Sequence, residues 1–166
     1  MMKAVWSGVA VVAAMGFMAA PAQAQTTASA SLSVTATVSA KAKLTLSAAS
    51  ISFADADPDT TPSIAAAAVD VDVKARTSGS GSVTLTVLAG GDLVSGGPSI
   101  PVSNLTWTSS GGGFQNGTSN KTVAQSVGSW TGSGNQSGAQ TYALANSWTY
   151  ATGTYTVTLN YTLTAP

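Results

Sequence analysis

The sequence predicts an all-β protein, an antiparallel immunoglobulin-like β-sandwich of about eight strands that follows an N-terminal signal peptide. Two observations lead to this prediction. Apolar residues alternate with Thr, Ser or charged residues in several segments, and clusters of Gly, Asn, Asp and Pro separate these segments. Because the side chains of a strand point alternately to its two faces, such alternation indicates strands with one buried and one solvated face.

The first 24 residues are typical of a secretory signal peptide. Lys3 gives a short positive region, an apolar run follows, and Ala22-Gln23-Ala24 has the small-residue pattern that signal peptidase recognises. We therefore expect residues 1–24 to be removed and residues 25–166 to form a single sandwich domain in the periplasm, at the cell surface or outside the cell. A retained membrane anchor is the alternative, but the apolar run is short for a membrane span.

The domain is expected to begin with a long alternating segment. Ala, Leu or Val occupies every second position from Ala30 to Leu46, with Ser, Thr and Lys between them. This length exceeds that of an ordinary strand. It predicts either two strands or one strand whose first part reaches beyond its own domain, so that residues 25–38 are a candidate edge strand.

Shorter strands are predicted to follow along the chain. They are expected at residues 50–53, 69–76, 83–87, 100–107, 122–127 and 141–144. The Ala-rich run at residues 64–68 is too short for an independent helix and is interpreted as a loop or the start of a strand. Residues 129–138, rich in Gly, Ser and Asn, are interpreted as a long loop.

The C-terminal residues carry the clearest strand pattern. Thr or Asn alternates there with large apolar and aromatic residues, which are Tyr155, Val157, Leu159, Tyr161 and Leu163. A strand with one face this apolar is predicted to be built into a sheet up to the end of the printed sequence.

The composition argues against catalysis and against a nucleic-acid or lipid partner. The chain has no His and no Cys, and all of its acidic residues are Asp, so the common general bases and nucleophile pairs are missing. Its formal net charge is zero, which gives no basic footprint for nucleic acid or an acidic membrane. We expect no enzyme activity and no cofactor. We interpret Asp70 and Asp72 as part of a solvated strand face with Lys74 and Arg76, and not as a catalytic pair.

A metal site is not predicted either. Asp55, Asp57 and Asp59 are spaced like the start of a calcium-binding loop, which also needs Gly at its sixth position and Glu at its twelfth. Those positions hold Thr60 and Ala66. A solvated turn is therefore the favoured interpretation.

Large aromatic residues are the remaining candidates for ligand contact. Trp107 lies on an apolar strand and is expected in the core. Trp130 is surrounded by Gly128, Ser129 and Gly132, which predicts that it is the most exposed of the large aromatic residues. A plug that fills a loop is the favoured interpretation of Trp130, and a ligand contact is the alternative.

Both ends of the predicted domain carry a distinctive strand pattern. Gly153-x-Tyr155 opens a terminal strand of alternating Thr, Val and Tyr, and an alternating segment follows the leader. Both features resemble fimbrial subunits, in particular the pilin-like and spore-coat-U-like proteins of bacterial chaperone–usher systems, although the cysteine pair frequent in such subunits is missing. The resemblance implies an incomplete sandwich that the N-terminal strand of the next subunit completes. The donor residues would be Leu32, Val34, Ala36 and Val38.

The resemblance also implies partners, namely further copies of the chain or other fibre subunits, and a periplasmic chaperone. The leading hypothesis is thus a structural subunit of a bacterial fibre, pilus or coat. The alternative hypothesis is a self-contained extracellular binding module, for polysaccharide or as a surface adhesin.

Overall fold

Eleven strands and one short 3₁₀ helix form the regular structure of residues 26–166, the part of the chain that this computed structural model describes. The expected signal peptide lies outside the described residues. The strands are β1 (Lys41–Leu46), β2 (Ser63–Ala65), β3 (Val69–Arg76), β4 (Ser82–Ala89), β5 (Leu93–Val94), β6 (Ser99–Ile100), β7 (Leu105–Ser110), β8 (Gly117–Thr118), β9 (Gln125–Thr131), β10 (Gly134–Ala145) and β11 (Leu159–Thr164). The 3₁₀ helix covers Val102–Asn104. Within the described residues, no helix is long and apolar enough to cross a membrane.

The chain divides into two units, Met1–Ala36 and Thr37–Pro166, and all eleven strands belong to the second. Residues 26–36, the described part of the first unit, are exposed and form no strand. Of the alternating segment predicted from Ala30 to Leu46, only the second part is a strand here, since β1 begins at Lys41. The reason is physical: a strand needs a neighbour for its backbone N–H and C=O groups, and residues 26–40 pair with none here.

Sheet A contains six antiparallel strands in the order β1-β3-β10-β7-β8, with β2 paired to the end of β10. β10 is its central strand. It pairs with β3 through residues 134–140, with β2 through residues 143–145 and with β7 through residues 139–144.

Sheet B contains three antiparallel strands in the order β11-β4-β9. A two-stranded hairpin of β5 and β6 completes the regular structure, and Val94 of β5 forms an isolated bridge with Thr156. The sheets together confirm the predicted all-β sandwich class.

The core lies where the alternating residues of β3, β7 and β10 meet those of β4 and β9. In β3 every second residue from Val69 is buried, and β4 shows the same alternation from Val83. Trp107 is 1% exposed, which confirms its expected place in the core. Its indole nitrogen donates to the carbonyl oxygen of Gln115 at 2.9 Å, so the one polar atom of this side chain is satisfied.

Three predicted elements differ from the structure. Residues 50–53 form no strand, and the predicted strand at residues 100–107 is interrupted by the 3₁₀ helix. Residues 129–138 are strand on both sides of a corner at residues 132–133, where the chain passes from sheet B to sheet A. The glycines in and next to this segment misled the prediction, because two of them lie against aromatic rings. A Cβ at Gly128, just before the segment, would overlap Trp130, and one at Gly138 would overlap Phe114.

Candidate functional site

The candidate site is the side of the sandwich where β1 ends sheet A and β11 ends sheet B. Each of these strands hydrogen-bonds to one neighbour, β1 to β3 and β11 to β4. Among the described strands, none pairs with the opposite edge of either one. The two strands also approach each other directly, which places both free edges on one side of the second unit.

The core is incompletely covered on this side. The inward residues of β4 are 0–3% exposed. In contrast, the inward residues of β11, which are Leu159, Tyr161 and Leu163, are only half-buried although they pack against the same core. Leu44 and Leu46 of β1 are half-buried as well. Apolar surface that remains wet at a free edge is available to a further strand.

The two free edges differ in charge. Natural proteins protect edge strands with charged side chains, especially Lys, because these oppose pairing with another chain. β1 carries Lys41 and Lys43, whereas β11 has the sequence Leu-Asn-Tyr-Thr-Leu-Thr and no charge. β11 is therefore a six-residue edge without this protection.

The other ends of the two sheets offer less room. At the far side of β9, Phe114 forms a bridge with Gly128, and the amide of Gln115 donates to the carbonyl of Val127 at 2.8 Å. At the far end of sheet A, β8 has only two residues. Among the described strands, β1 and β11 are thus the long free edges.

A buried polar cluster fixes β11 against sheet A. The hydroxyl of Tyr161 donates to Oε1 of Gln140 and shares a hydrogen bond with the hydroxyl of Tyr142. Gln140 is fully buried, and its amide nitrogen has no hydrogen-bond partner among the described residues. Burial raises the pKa of Tyr142 and Tyr161, so both hydroxyls are neutral well above physiological pH. Sequence reasoning identified Tyr161 but missed Gln140, because a polar residue in a Ser- and Gly-rich strand gives no sign of burial.

The predicted donor residues lie outside the strands. Leu32 is 88% exposed, Val34 83% and Val38 70%, and Ala36 is exposed as well. The predicted C-terminal strand residues are divided. Leu159, Tyr161 and Leu163 lie in β11, whereas Tyr155 and Val157 precede it and pack half-buried against the core.

Trp130 is held inside a corner of the fold. It packs edge-to-face on Phe114 with a ring separation of 4.9 Å, and its indole nitrogen donates to the carbonyl of Gly112 at 2.8 Å. The side chain is half-buried, so the expectation that Trp130 is the most exposed large aromatic residue is wrong. These contacts match the favoured interpretation, in which Trp130 fills a loop.

Among the tryptophans of residues 26–166, Trp148 has the most exposed indole, at 69%. Its nitrogen donates to a carboxylate oxygen of Asp59 at 3.1 Å, which restrains the ring while leaving it in solvent. Asp57 caps the same acidic turn by accepting from the amide of Asp59 at 2.9 Å. Two of the three carboxylates in the calcium-like spacing therefore have structural partners. Nothing in the local sequence of Trp148 predicted its exposure, which follows from its place in a turn between β10 and β11.

The comparisons with known proteins add no neighbour, since no protein-family model and no curated protein matches this chain.

Proposed function

We propose that this protein is an exported structural subunit of a bacterial surface fibre, pilus or coat, and that its copies assemble by β-strand addition. In this proposal the N-terminal segment of one copy pairs with the free edge of β11 in the next copy. The observation that carries it is the uncharged free edge of β11 beside half-covered core residues. Other fibre subunits and a periplasmic chaperone are the partners that such assembly would use.

The exposed N-terminal residues supply a complementary strand. Residues 32–38 would extend over about 20 Å, which is also about the length of the six-residue β11. On one face of that strand, Leu32, Val34, Ala36 and Val38 would cover the half-buried apolar residues of the acceptor. Burying a Leu or Val side chain contributes about 1.5–3 kcal/mol, and main-chain hydrogen bonds along the edge add to it.

Strand-linked polymers are tested on a denaturing gel with unheated and boiled samples of the exported protein. We expect an unheated ladder that boiling removes. Leu32→Asp with Val34→Asp should abolish the ladder, because two charges cannot enter an apolar groove. Deletion of residues 25–38 should have the same effect.

The matched control changes the other face of the same segment. Ser33→Asp with Thr35→Asp adds the same charge at positions that would point away from the acceptor core, and it should keep the ladder. Polymers that survive Leu32→Asp with Val34→Asp, or a wild-type protein that is monomeric without heating, would contradict the proposal.

A second candidate function, glycan binding by a self-contained module, is favoured by Trp148. An exposed indole restrained at its edge offers an open face for stacking against a sugar ring. Quenching or a shift of Trp fluorescence across a glycan panel tests it, with Trp148→Ala as the variant and Trp130→Phe as the control. A response that remains in Trp148→Ala, or no response to any glycan, would argue against this function.

A further inference from the structure

The outer face of sheet A concentrates the basic residues of the protein. In the register of β1 with β3, Lys41 lies opposite Arg76 and Lys43 lies opposite Lys74. All four side chains are exposed, and together they form what we call the basic cluster. Like charges directly opposite each other destabilise an antiparallel pair, so this arrangement costs stability in the isolated molecule.

No partner within the described residues explains the basic cluster. The ion pair found in residues 26–166 joins Lys121 to Asp92 at 2.6 Å and involves none of these four residues. Edge protection accounts for lysines on β1, which is an edge strand. It does not account for Lys74 and Arg76, because β3 lies between β1 and β10.

The same face continues into an acidic recess. Asp70 and Asp72 follow on β3 at the next outward positions and are exposed. They border an open, shallow recess of about 400 Å³, which Ser110, Gly111, Ser137, Gly138 and Ala139 also line. The small side chains of β10 and β7 project only a short way from the acidic half of the face. The basic half carries the longest side chains of the sheet.

The order of charges along β3 is self-complementary. From the first residue of β3 to its last, the exposed residues are Asp70, Asp72, Lys74 and Arg76, and all four point to one face. A two-fold axis across the strand at the level of Val73 would bring Arg76 of one copy to Asp70 of the other. The same operation would bring Lys74 to Asp72. An interface between two identical copies requires this kind of self-complementarity.

We propose that the outer face of sheet A is a docking surface for a second copy of this chain, related by that two-fold axis. Long basic side chains of each copy enter the acidic recess of the other. The proposal does not rest on strand addition, since it uses the face of sheet A and not the edge of β11.

The area of this face sets the expected affinity between the two copies. The four longer strands of sheet A, which are β1, β3, β10 and β7, lie about 4.8 Å apart and are on average about 25 Å long, which gives roughly 500 Å² per copy. Stable complexes bury about 800 Å² per partner, so this contact is expected to be weak and reversible. Because exposed charges carry it, salt should weaken it strongly.

Sedimentation velocity of the full chain tests the contact, with Leu32→Asp and Val34→Asp included so that strand-linked polymers do not obscure it. We expect a monomer–dimer equilibrium whose dissociation constant rises at least about tenfold between about 50 mM and about 500 mM NaCl. Lys74→Asp should abolish the dimer. Lys121→Asp, which makes the same charge change elsewhere, should keep it.

A mixing experiment separates complementarity from a general charge effect. Asp70→Lys with Asp72→Lys makes the exposed row of β3 wholly basic, and Lys74→Asp with Arg76→Asp makes it wholly acidic. Neither variant should dimerise alone, and an equimolar mixture should form a heterodimer, which also shows that both variants fold. A monomeric wild type at low salt, a salt-insensitive dimer, or a mixture that stays monomeric would overturn the proposal.

Discussion

Tyr161→Phe should be among the more costly single-atom changes in this protein. The hydroxyl it removes serves two buried groups, Oε1 of Gln140 and the hydroxyl of Tyr142. Gln140 is fully buried and its amide nitrogen already lacks a partner among the described residues. The variant therefore leaves both ends of one buried amide unpaired. An orphaned buried polar group costs about 1–3 kcal/mol, so we expect a loss of about 2 kcal/mol in the free energy of unfolding.

Gln140→Leu provides the comparison. It replaces a poorly satisfied amide by an apolar side chain of similar size, and the hydroxyls of Tyr142 and Tyr161 still pair. The exchange removes the unpaired amide nitrogen, but it also leaves one hydroxyl proton of the tyrosine pair without its acceptor. These two opposing costs are of similar size, so we expect a change within about 1 kcal/mol of the wild type. In the Gln140→Leu background, Tyr161→Phe no longer leaves a buried amide oxygen without its hydrogen-bond donor. Its cost should fall by about 1 kcal/mol, which is the coupling between the two residues.

Urea unfolding followed by Trp fluorescence measures both the stability lost in Tyr161→Phe and its coupling to Gln140→Leu. Leu32→Asp and Val34→Asp are included so that contacts between copies do not contribute. With a slope of about 1–2 kcal/mol per molar urea, a loss of about 2 kcal/mol moves the midpoint by about 1 M or more. A loss below about 0.5 kcal/mol, or the same loss in the Gln140→Leu background, would show that the cluster does not hold β11 in place.

Two further predictions concern the tyrosines and one glycine. Burial raises the pKa of Tyr142 and Tyr161 in the folded protein, so above about pH 10 the unfolded chain releases protons that the folded chain keeps. The free energy of unfolding should thus fall above about pH 10, by up to about 1.4 kcal/mol per pH unit for each tyrosine, and a flat urea-derived profile to pH 11.5 would contradict this. Gly117→Ala should lower the free energy of unfolding by about 1–3 kcal/mol, because the new Cβ would overlap the indole of Trp107. Gly112→Ala is the control, since the space around Gly112 is open, and it should change stability by less than about 0.5 kcal/mol. Equal melting temperatures for the two variants would refute the argument.

The strands with strict alternation were predictable from the sequence. β3 and β4 lie within a residue or two of their predicted bounds because one face of each is buried against a core, and this burial produces the alternation. The segment before β1 has the same alternation but pairs with no strand among the described residues. Periodicity reports which face of a strand is apolar, and it cannot report whether the neighbouring strand belongs to the same molecule.

Composition was a poorer guide than periodicity. Residues 129–138 read as a loop because Gly, Ser and Asn are common in turns, yet most of them are strand. A Cβ at Gly138 would overlap Phe114, which lies 24 residues earlier in the chain, and a contact between residues so distant in sequence leaves no local signal. The exposure of Trp148 and the burial of Gln140 have the same tertiary origin, so no local pattern could have predicted either.

The placement of charge separates the two modes of association proposed for this protein. No strand of sheet B contains a charged residue, whereas β1 and β3 hold the basic cluster and the two aspartates of the recess. A strand added to β11 would be held by backbone hydrogen bonds and apolar contacts, which salt hardly screens. A contact through the outer face of sheet A would be held by exposed ion pairs, which salt screens over about 8–10 Å. Raising the salt concentration should therefore remove contacts through the outer face of sheet A while leaving strand-linked polymers intact. One salt titration thus distinguishes association through the edge of β11 from association through the face of sheet A.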